Sequence, residues 1–314
     1  MFSRSSKKIT ITALAAAITV AALAGCGLGA GKVPTGVQLT VTRDFGAHVL
    51  GRASAPKLLG EETVMSLLLR NDRVTTKYGG GFVESIDGHS GGEVEGDPLD
   101  WFYYVNGIEA PKGAAATNVN PGVHVWWDLH DWSQTDDVPA VVGSYPEPFL
   151  NGTEGKRLPV RVECAAAQSA PCRTVIARLR ALGVPAAVAA IGSGAEPDAL
   201  QVVVGQWTAV HSDPSVQSIE RGPRASGVYA RFATDGQTLT LLDGGGRTTS
   251  TLTAGAGLIA ATKDVEGAIV WVVTGTDEAS VQRAAGNFDT SALQNHFALA
   301  GTSTGAQLPV PGAG

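Results

Sequence analysis

The side chains best suited to chemistry or binding are concentrated between residues 100 and 132. Asp-Trp-Phe-Tyr-Tyr-Val-Asn-Gly-Ile occupies 100–108, and Pro-Gly-Val-His-Val-Trp-Trp-Asp-Leu-His-Asp-Trp occupies 121–132. Seven of the 19 aromatic residues fall between Trp101 and Trp132, although the chain is only 6% aromatic, so composition alone does not produce the cluster. Rings offer flat faces for stacking, and the imidazoles and carboxylate of His124, Asp128 and His130 can orient a ligand or hold an ion.

Side chains alternate across an extended strand. Trp101, Tyr103 and Val105 therefore share one face, and Phe102, Tyr104 and Asn106 the other. Asn106-Gly107 is suited to a tight reversal. In the second segment Val123, Val125, Trp127 and Leu129 form an apolar side, while His124, Trp126, Asp128, His130 and Trp132 form a side that reads as half wet.

Three readings of that side stay open. It is an amphipathic strand packed under a loop, a platform for a flat organic ligand or a sugar, or a metal site. The metal reading is constrained by geometry: His124 and His130 stand roughly 20 Å apart along an extended strand, too far to share one ion without a bend. As a binding surface it would draw on Trp101, Tyr103, Trp126, Asp128, His130 and Trp132.

The elements around these strands follow from periodicity. Val37, Leu39 and Val41 alternate with polar residues and predict a strand; 44–58 reads as irregular. Val64, Leu67 and Leu68 give the stripe of a helix seated on a sheet, preceded by the acids Glu61 and Glu62. Gly79-Gly80-Gly81 suggests a bulge or close backbone approach within an extended stretch, and 87–96 is a polar loop in which His89 reads as a solvated turn residue.

The order of these features resembles the transcobalamin carboxy-terminal-like family of bacterial surface domains. The matching stretches are Val-Gln-Leu-Thr-Val-Thr-Arg at 37–43, Thr-Val-Met-Ser-Leu-Leu-Leu at 63–69 and Gly-Phe-Val-Glu-Ser-Ile-Asp-Gly at 81–88. Trp-Phe-Tyr-Tyr-Val-Asn-Gly at 101–107 and Pro-Gly-x-x-x-Trp at 121–126 complete them, with Val123 standing where the family usually has an acid. The resemblance covers a little over a third of the chain. It implies a β-grasp-like domain that binds a ligand or surface without catalysis, and it makes a corrinoid one plausible ligand.

The N-terminus reads as a secretory leader. Arg4, Lys7 and Lys8 precede an almost wholly apolar run at 9–23 that is shorter than a bilayer span, and Leu23-Ala24-Gly25-Cys26 resembles the bacterial lipobox. Cys26 is then the expected site of acylation, which places the chain on the extracytoplasmic face of the cell membrane. Loss of residues 1–25 removes three of the 23 basic side chains and none of the 29 acidic ones, leaving a net charge of −9. That balance is unsuited to holding nucleic acid.

The remaining cysteines, Cys164 and Cys172, are expected to form a disulfide outside the cytoplasm. The organisation expected is α+β: a leader at 1–25, a flexible tether at 26–36, a β-grasp-like domain at 37–150, an α/β layer domain at 158–300 and a disordered tail at 301–314. In the second domain strands are expected near 159–163, 186–191, 200–204, 228–233, 238–242, 257–261 and 268–274. Helices are expected over 173–182 and 277–285, the latter capped by Thr276.

No catalytic constellation emerges. Asp243-Gly-Gly-Gly-Arg247 lacks the Lys-Ser/Thr of a phosphate-binding loop and reads as a turn, and Gly192-Ser193-Gly194 lacks the spacing of a nucleophile elbow. His211 and Asp213 have no assignable nucleophile. The sequence points to a non-enzymatic, cofactor-free envelope lipoprotein that binds a small ligand for uptake, its partners being the membrane and a transporter or envelope protein. The alternative is a protein- or glycan-interaction module without a small-molecule ligand.

Overall fold

Val37, Leu39 and Val41 are buried in the first strand, Val37–Arg43. After a turn in which Asp44, Phe45 and Gly46 all adopt positive φ, the chain doubles back as a second strand, His48–Ala55, paired antiparallel to the first. Irregular chain was expected here. Exposed His48 and Val49 beside a central Gly51 leave too little alternation to read as a strand. The computed structural model describes residues 1, 36–55, 58, 60–94, 96–193, 198–302 and 305–311. The leader, Cys26 and the tether up to residue 35 lie outside the described residues, Met1 excepted.

Helix Val64–Asn71 begins at Thr63, whose side chain accepts the Ser66 N–H while the Ser66 hydroxyl accepts the Thr63 N–H in return. It buries Val64, Met65, Leu67 and Leu68. These side chains share a core with Trp101, Tyr103, Val125 and Trp127 of the sheet beneath.

The sheet order is His48–Ala55, Val37–Arg43, His124–Asp131, Asp97–Val105, Gly92–Val94. The first strand runs parallel to His124–Asp131, which is antiparallel to Asp97–Val105. The sheet thus carries a hairpin at one edge, a helix on one face and its last long strand beside the first.

A strap at 138–150 ties this sheet to the rest of the chain. Val141 N–H donates to Gly107 O (2.8 Å) and Glu109 N–H to Pro139 O (3.1 Å), while Val142 N–H donates to Phe297 O (3.1 Å) and Asn295 N–H to Gly143 O (3.2 Å). Main-chain bonds therefore fix the strap to both halves.

The second half is built on a seven-stranded sheet. Ala186–Ala190, Val160–Cys164, Leu200–Gln206 and Ile269–Gly275 run parallel, and Gly257–Lys263, Ala298–Gly301 and Ala306–Leu308 follow antiparallel. Helices Ala170–Ala181 and Glu278–Gly286 contribute Val175, Leu179, Val281 and Ala285 to the core on one face. Together the halves make a mixed α+β fold.

Three local expectations need correction. The helix expected from residue 173 starts at Ala170, capped by Ser169, so Cys172 lies in its first turn rather than in a loop; it is joined to Cys164 by the expected disulfide. The next long helix is capped by Asp277, whose carboxylate accepts Ser280 N–H (2.7 Å), not by Thr276. The tail at 301–314 is not uniformly disordered: Ala306–Leu308 pairs with Ala298–Gly301, Leu308 is fully buried, and Val310 N–H reaches Leu242 O.

Close packing at the strap makes a measurable demand on one glycine. A β-carbon on Gly143 would lie 2.6 Å from His296 N and 2.7 Å from the Trp126 ring. Gly143→Ala should cost about 1–3 kcal/mol by overpacking. Gly286→Ala, where a β-carbon meets nothing within 4 Å, should be neutral or stabilising by up to about 1 kcal/mol. Urea unfolding of the two variants measures both.

Candidate functional site

Alternation places the aromatic residues as the sequence requires, but on two separate surfaces. Trp101 and Tyr103 face the helix, with Trp127 stacked on Tyr103 at 4.8 Å. Trp101 Nε1–H donates to His89 O (3.2 Å), and the Tyr103 hydroxyl bonds Lys112 O (2.5 Å) and Thr117 Oγ1 (2.8 Å). Trp126, Asp128 and His130 point through the opposite face of the sheet. The six residues expected to form one binding surface therefore do not meet at one place.

The opposite face is also dry, which corrects the expectation that it is half wet. Phe45, Tyr104 and Trp126 join one continuous core with Trp207, Tyr229, Phe232 and Phe297 of the second half. Trp126 and Asp128 are fully buried and His130 is 1% exposed. The His130 ring lies between Phe45 and Phe102, each stacked at 4.5 Å, with Phe297 edge-on at 5.3 Å. What covers this face is the other half of the chain.

Asp128 is the polar centre of that seam. Its carboxylate accepts from Thr42 Oγ1 (2.5 Å), Phe45 N (2.9 Å) and Gly46 N (2.8 Å), and pairs with His130 Nδ1 at 2.9 Å. Trp126 Nε1–H donates to Thr42 Oγ1 (2.6 Å), so the indole, hydroxyl, carboxylate and imidazole form one chain. The dyad resembles the orienting half of a hydrolytic triad, but aromatic rings pack the imidazole where a substrate would have to stand. His124 makes a separate contact, its Nε2 2.9 Å from Thr40 Oγ1, and burial lowers its pKa to about 4.

Of the six expected residues only Trp132 remains open, at 37% exposure. The neighbouring rim hairpin, strands Val74–Lys77 and Phe82–Ile86, belongs to a separate three-stranded sheet. The Asp100 carboxyl has its pKa raised mainly by burial, with the nearby Lys77 and the Trp132 indole opposing the rise. Lys77 Nζ pairs with Glu84 at 2.9 Å, and the neighbouring Tyr78 meets Phe82 ring to ring at 6.2 Å. Tyr78 is 88% and Phe82 37% exposed. Sequence reasoning missed Tyr78, Phe82, Lys77 and Glu84. The available signal was the pair of aromatics flanking Gly79-Gly80-Gly81; there Gly79 and Gly80 supply positive φ at an open hairpin tip, and an added β-carbon meets nothing within 4 Å.

The remaining candidates resolve into structure. Asp243 accepts the Arg247 N–H (2.8 Å) in a turn, as expected, and its glycines allow contact with the first half: β-carbons on Gly244 and Gly246 would sit 2.7 Å from Phe45 and 2.6 Å from Gln134. His211 Nδ1 lies 3.5 Å from Glu220, whereas Asp213 accepts Ser215 N–H, so the two do not form a dyad. Ser193 Oγ–H donates to Ala190 O. A hollow lined by Ile259, Arg283, Asn287 and Leu299 has a volume of about 10 Å³, enough for one water. Among the described residues no three His, Cys, Asp or Glu side chains converge as metal ligands.

Comparison with known proteins adds a partial match. Residues 61–131 match a family described as a domain of unknown function, DUF4430. That span takes in the helix, the rim hairpin and both aromatic strands. No curated protein matches the chain. A solved crystal structure from Ruminococcus gnavus ATCC 29149, described as a "putative metal binding protein", is 14% identical, covering 31% of this chain and 97% of that one with a TM-score of 0.26. A score that low fixes neither fold nor ligand.

The Asp128 network is open to direct measurement. Asp128→Ala strands two main-chain N–H groups, the Thr42 hydroxyl and His130 in a dry seam, at an expected cost of about 3 kcal/mol or more. The midpoint of denaturant unfolding should fall accordingly, with near-ultraviolet dichroism of the Trp126 environment lost first.

Proposed function

We propose that the chain is an exported, lipid-anchored envelope protein that captures a ligand on the exposed rings of its first sheet and of the rim hairpin. The observation that carries this reading is the exposure of Tyr78, Phe82 and Trp132, the first two meeting ring to ring beside the Lys77–Glu84 pair and the third lying by Asp100. Large exposed aromatics beside hydrogen-bonding side chains suit a ligand with one apolar face and a polar edge, as a sugar ring or a flat organic cofactor has.

Export is supported by the leader-like N-terminus ending at Cys26 and by the joined Cys164 and Cys172, since such pairs persist outside the reducing cytoplasm. Anchoring and uptake rest on the sequence alone. A corrinoid enters as one flat ligand to test, by the family resemblance, beside envelope glycans and a protein partner.

Two experiments test the reading. Purified protein lacking the leader is titrated by calorimetry with wall-glycan fragments and with a corrinoid. Binding of either should weaken at least tenfold in Trp132→Ala and in Tyr78→Ala, with the stability of Tyr78→Ala within about 0.5 kcal/mol of the parent because that ring is a surface position. Affinity unchanged in both variants, or no binding of any ligand at tens of micromolar, overturns the rim as the capture site. Separately, Cys26→Ser should move the protein from the membrane fraction to the soluble one; retention at the membrane overturns the anchor.

A further inference from the structure

The outermost strand of the seven-stranded sheet, Ala186–Ala190, is bonded to a neighbouring strand on one side only, by Val160–Cys164. It reads Ala-Ala-Val-Ala-Ala, with Val188 46% exposed and Ala187 and Ala190 open to solvent. Such an edge presents unpaired main-chain N–H and C=O groups, which proteins commonly guard with charge, proline or shortness. The other edges of the two large sheets are guarded in these ways. Ala306–Leu308 has three residues and runs into Pro309, Gly92–Val94 has three and carries Glu93, and His48–Ala55 carries Arg52 with a shift in its pairing register. Ala186–Ala190 has five residues, with no charge and no proline among them.

Arginines frame that edge. Helix Ala170–Ala181 packs over it, turning Cys172, Val175, Ile176 and Leu179 to the core. One flank of this helix is taken by Glu278–Gly286, which lies over the strands farther from the edge: Arg178 donates to Gly286 O (2.9 Å), and Gln282 Nε2 to Thr174 Oγ1 (3.2 Å). At 3.6 residues per turn Arg173 and Arg180 fall on the opposite flank, toward Ala186–Ala190, and stand about 10 Å apart along the axis. Both are exposed, and Arg173 also donates to Gln168 O. Arg157, exposed as well, donates to Gly183 O (2.9 Å) just ahead of the strand. Among the described residues none of these three is paired with a carboxylate, whereas Arg178 lies 3.4 Å from Asp289.

We infer that the Ala186–Ala190 edge docks an extended, acidic segment of a partner protein, which adds to the sheet as a further strand while its carboxylates meet Arg173 and Arg180. Main-chain pairing supplies the attachment and the arginines supply the selection. Side chains on one face of a strand repeat about every 6.6 Å, so acids at alternate positions bring one within reach of each guanidinium. The alanines leave the approach unobstructed. A second copy of this chain fits less well: the strand paired antiparallel with itself offers no carboxylate and sets the arginine flanks of two like helices against each other. The edge belongs to the second half, so the inference does not depend on capture at the exposed rings of the first.

Fluorescence anisotropy with the whole chain lacking its leader tests this, using a labelled peptide in which Val and Glu alternate over seven residues. The peptide should bind, and its Val-Lys counterpart should bind at least about tenfold more weakly. Reversing both charges, Arg173→Glu with Arg180→Glu, should invert that order, a change that mere loss of folding cannot produce. Of two versions N-methylated at alternate residues, one blocking each edge of the peptide, only one should keep its affinity, because a strand pairs through one edge. Trp132→Ala should leave all of these unchanged. No binding of the Val-Glu peptide at about 1 mM, the same affinity in the charge-reversed protein, or equal binding of both N-methylated versions overturns the proposal. So does a dimer, seen by sedimentation of the protein alone, that the peptide fails to dissociate.

Discussion

A single buried carboxylate holds this structure in register. Asp128 lies in the middle of a parallel and antiparallel strand set, and its two oxygens receive a hydroxyl, two main-chain N–H groups and an imidazole. A carboxyl group so deep in a protein is tolerable only when its oxygens are taken up by hydrogen-bond donors. Three of those donors come from residues 42–46, so satisfying Asp128 also fixes the left-handed turn at Asp44, Phe45 and Gly46. That turn aims Phe45 at His130, Tyr229 and Phe297. A local electrostatic requirement thereby sets where an aromatic ring meets the other half of the chain.

The fit on the far side is equally close. A β-carbon on Gly46 would fall 1.9 Å from Asn295 O, and one on Gly244 2.7 Å from the Phe45 ring. Glycine at these places is required by approach of one backbone or ring to another, with the positive φ of Gly46 as a second constraint. The strap then adds main-chain bonds to both partners. Polar pinning, small residues and a shared aromatic core act on the same seam, so the first sheet and the seven-stranded sheet meet in one cluster while each also keeps a core under its own helices.

Much of this was legible in the sequence, and the boundary of legibility is physical. Period-two alternation told which residues share a face: Trp127 does lie with Val125 and Leu129, and Trp126 with Asp128 and His130. Alternation is silent on what covers a face, because the covering residues, Tyr229 and Phe297, are about 100 or more positions away. The disulfide followed from spacing and compartment. The strand His48–Ala55 and the edge strand Ala306–Leu308 were missed since their stability comes from pairing partners and not from their own patterns. Tyr78 was invisible for the opposite reason: an exposed ring at a glycine tip belongs to no periodicity. Trp132, the last ring of the expected platform, is the point where sequence and structure agree on an open aromatic.

The energetics of the seam bear on the capture proposed for the exposed rings. Fully burying a large apolar side chain is worth about 1.5–3 kcal/mol. Phe45, Trp126, Tyr229 and Phe297 sit in a cluster of 26 buried hydrophobic residues that the two halves share, so parting the halves would expose many such side chains at once. A ligand bound at micromolar affinity releases about 8 kcal/mol in total. It cannot part those rings to reach Asp128 and His130, however well those groups would orient it. Reaching Trp132, Tyr78 and Phe82 carries no such cost, since Tyr78 is 88% exposed and the other two 37%. The dense aromatic run is thus spent on holding the chain together, and the rings left accessible are the few at its margin.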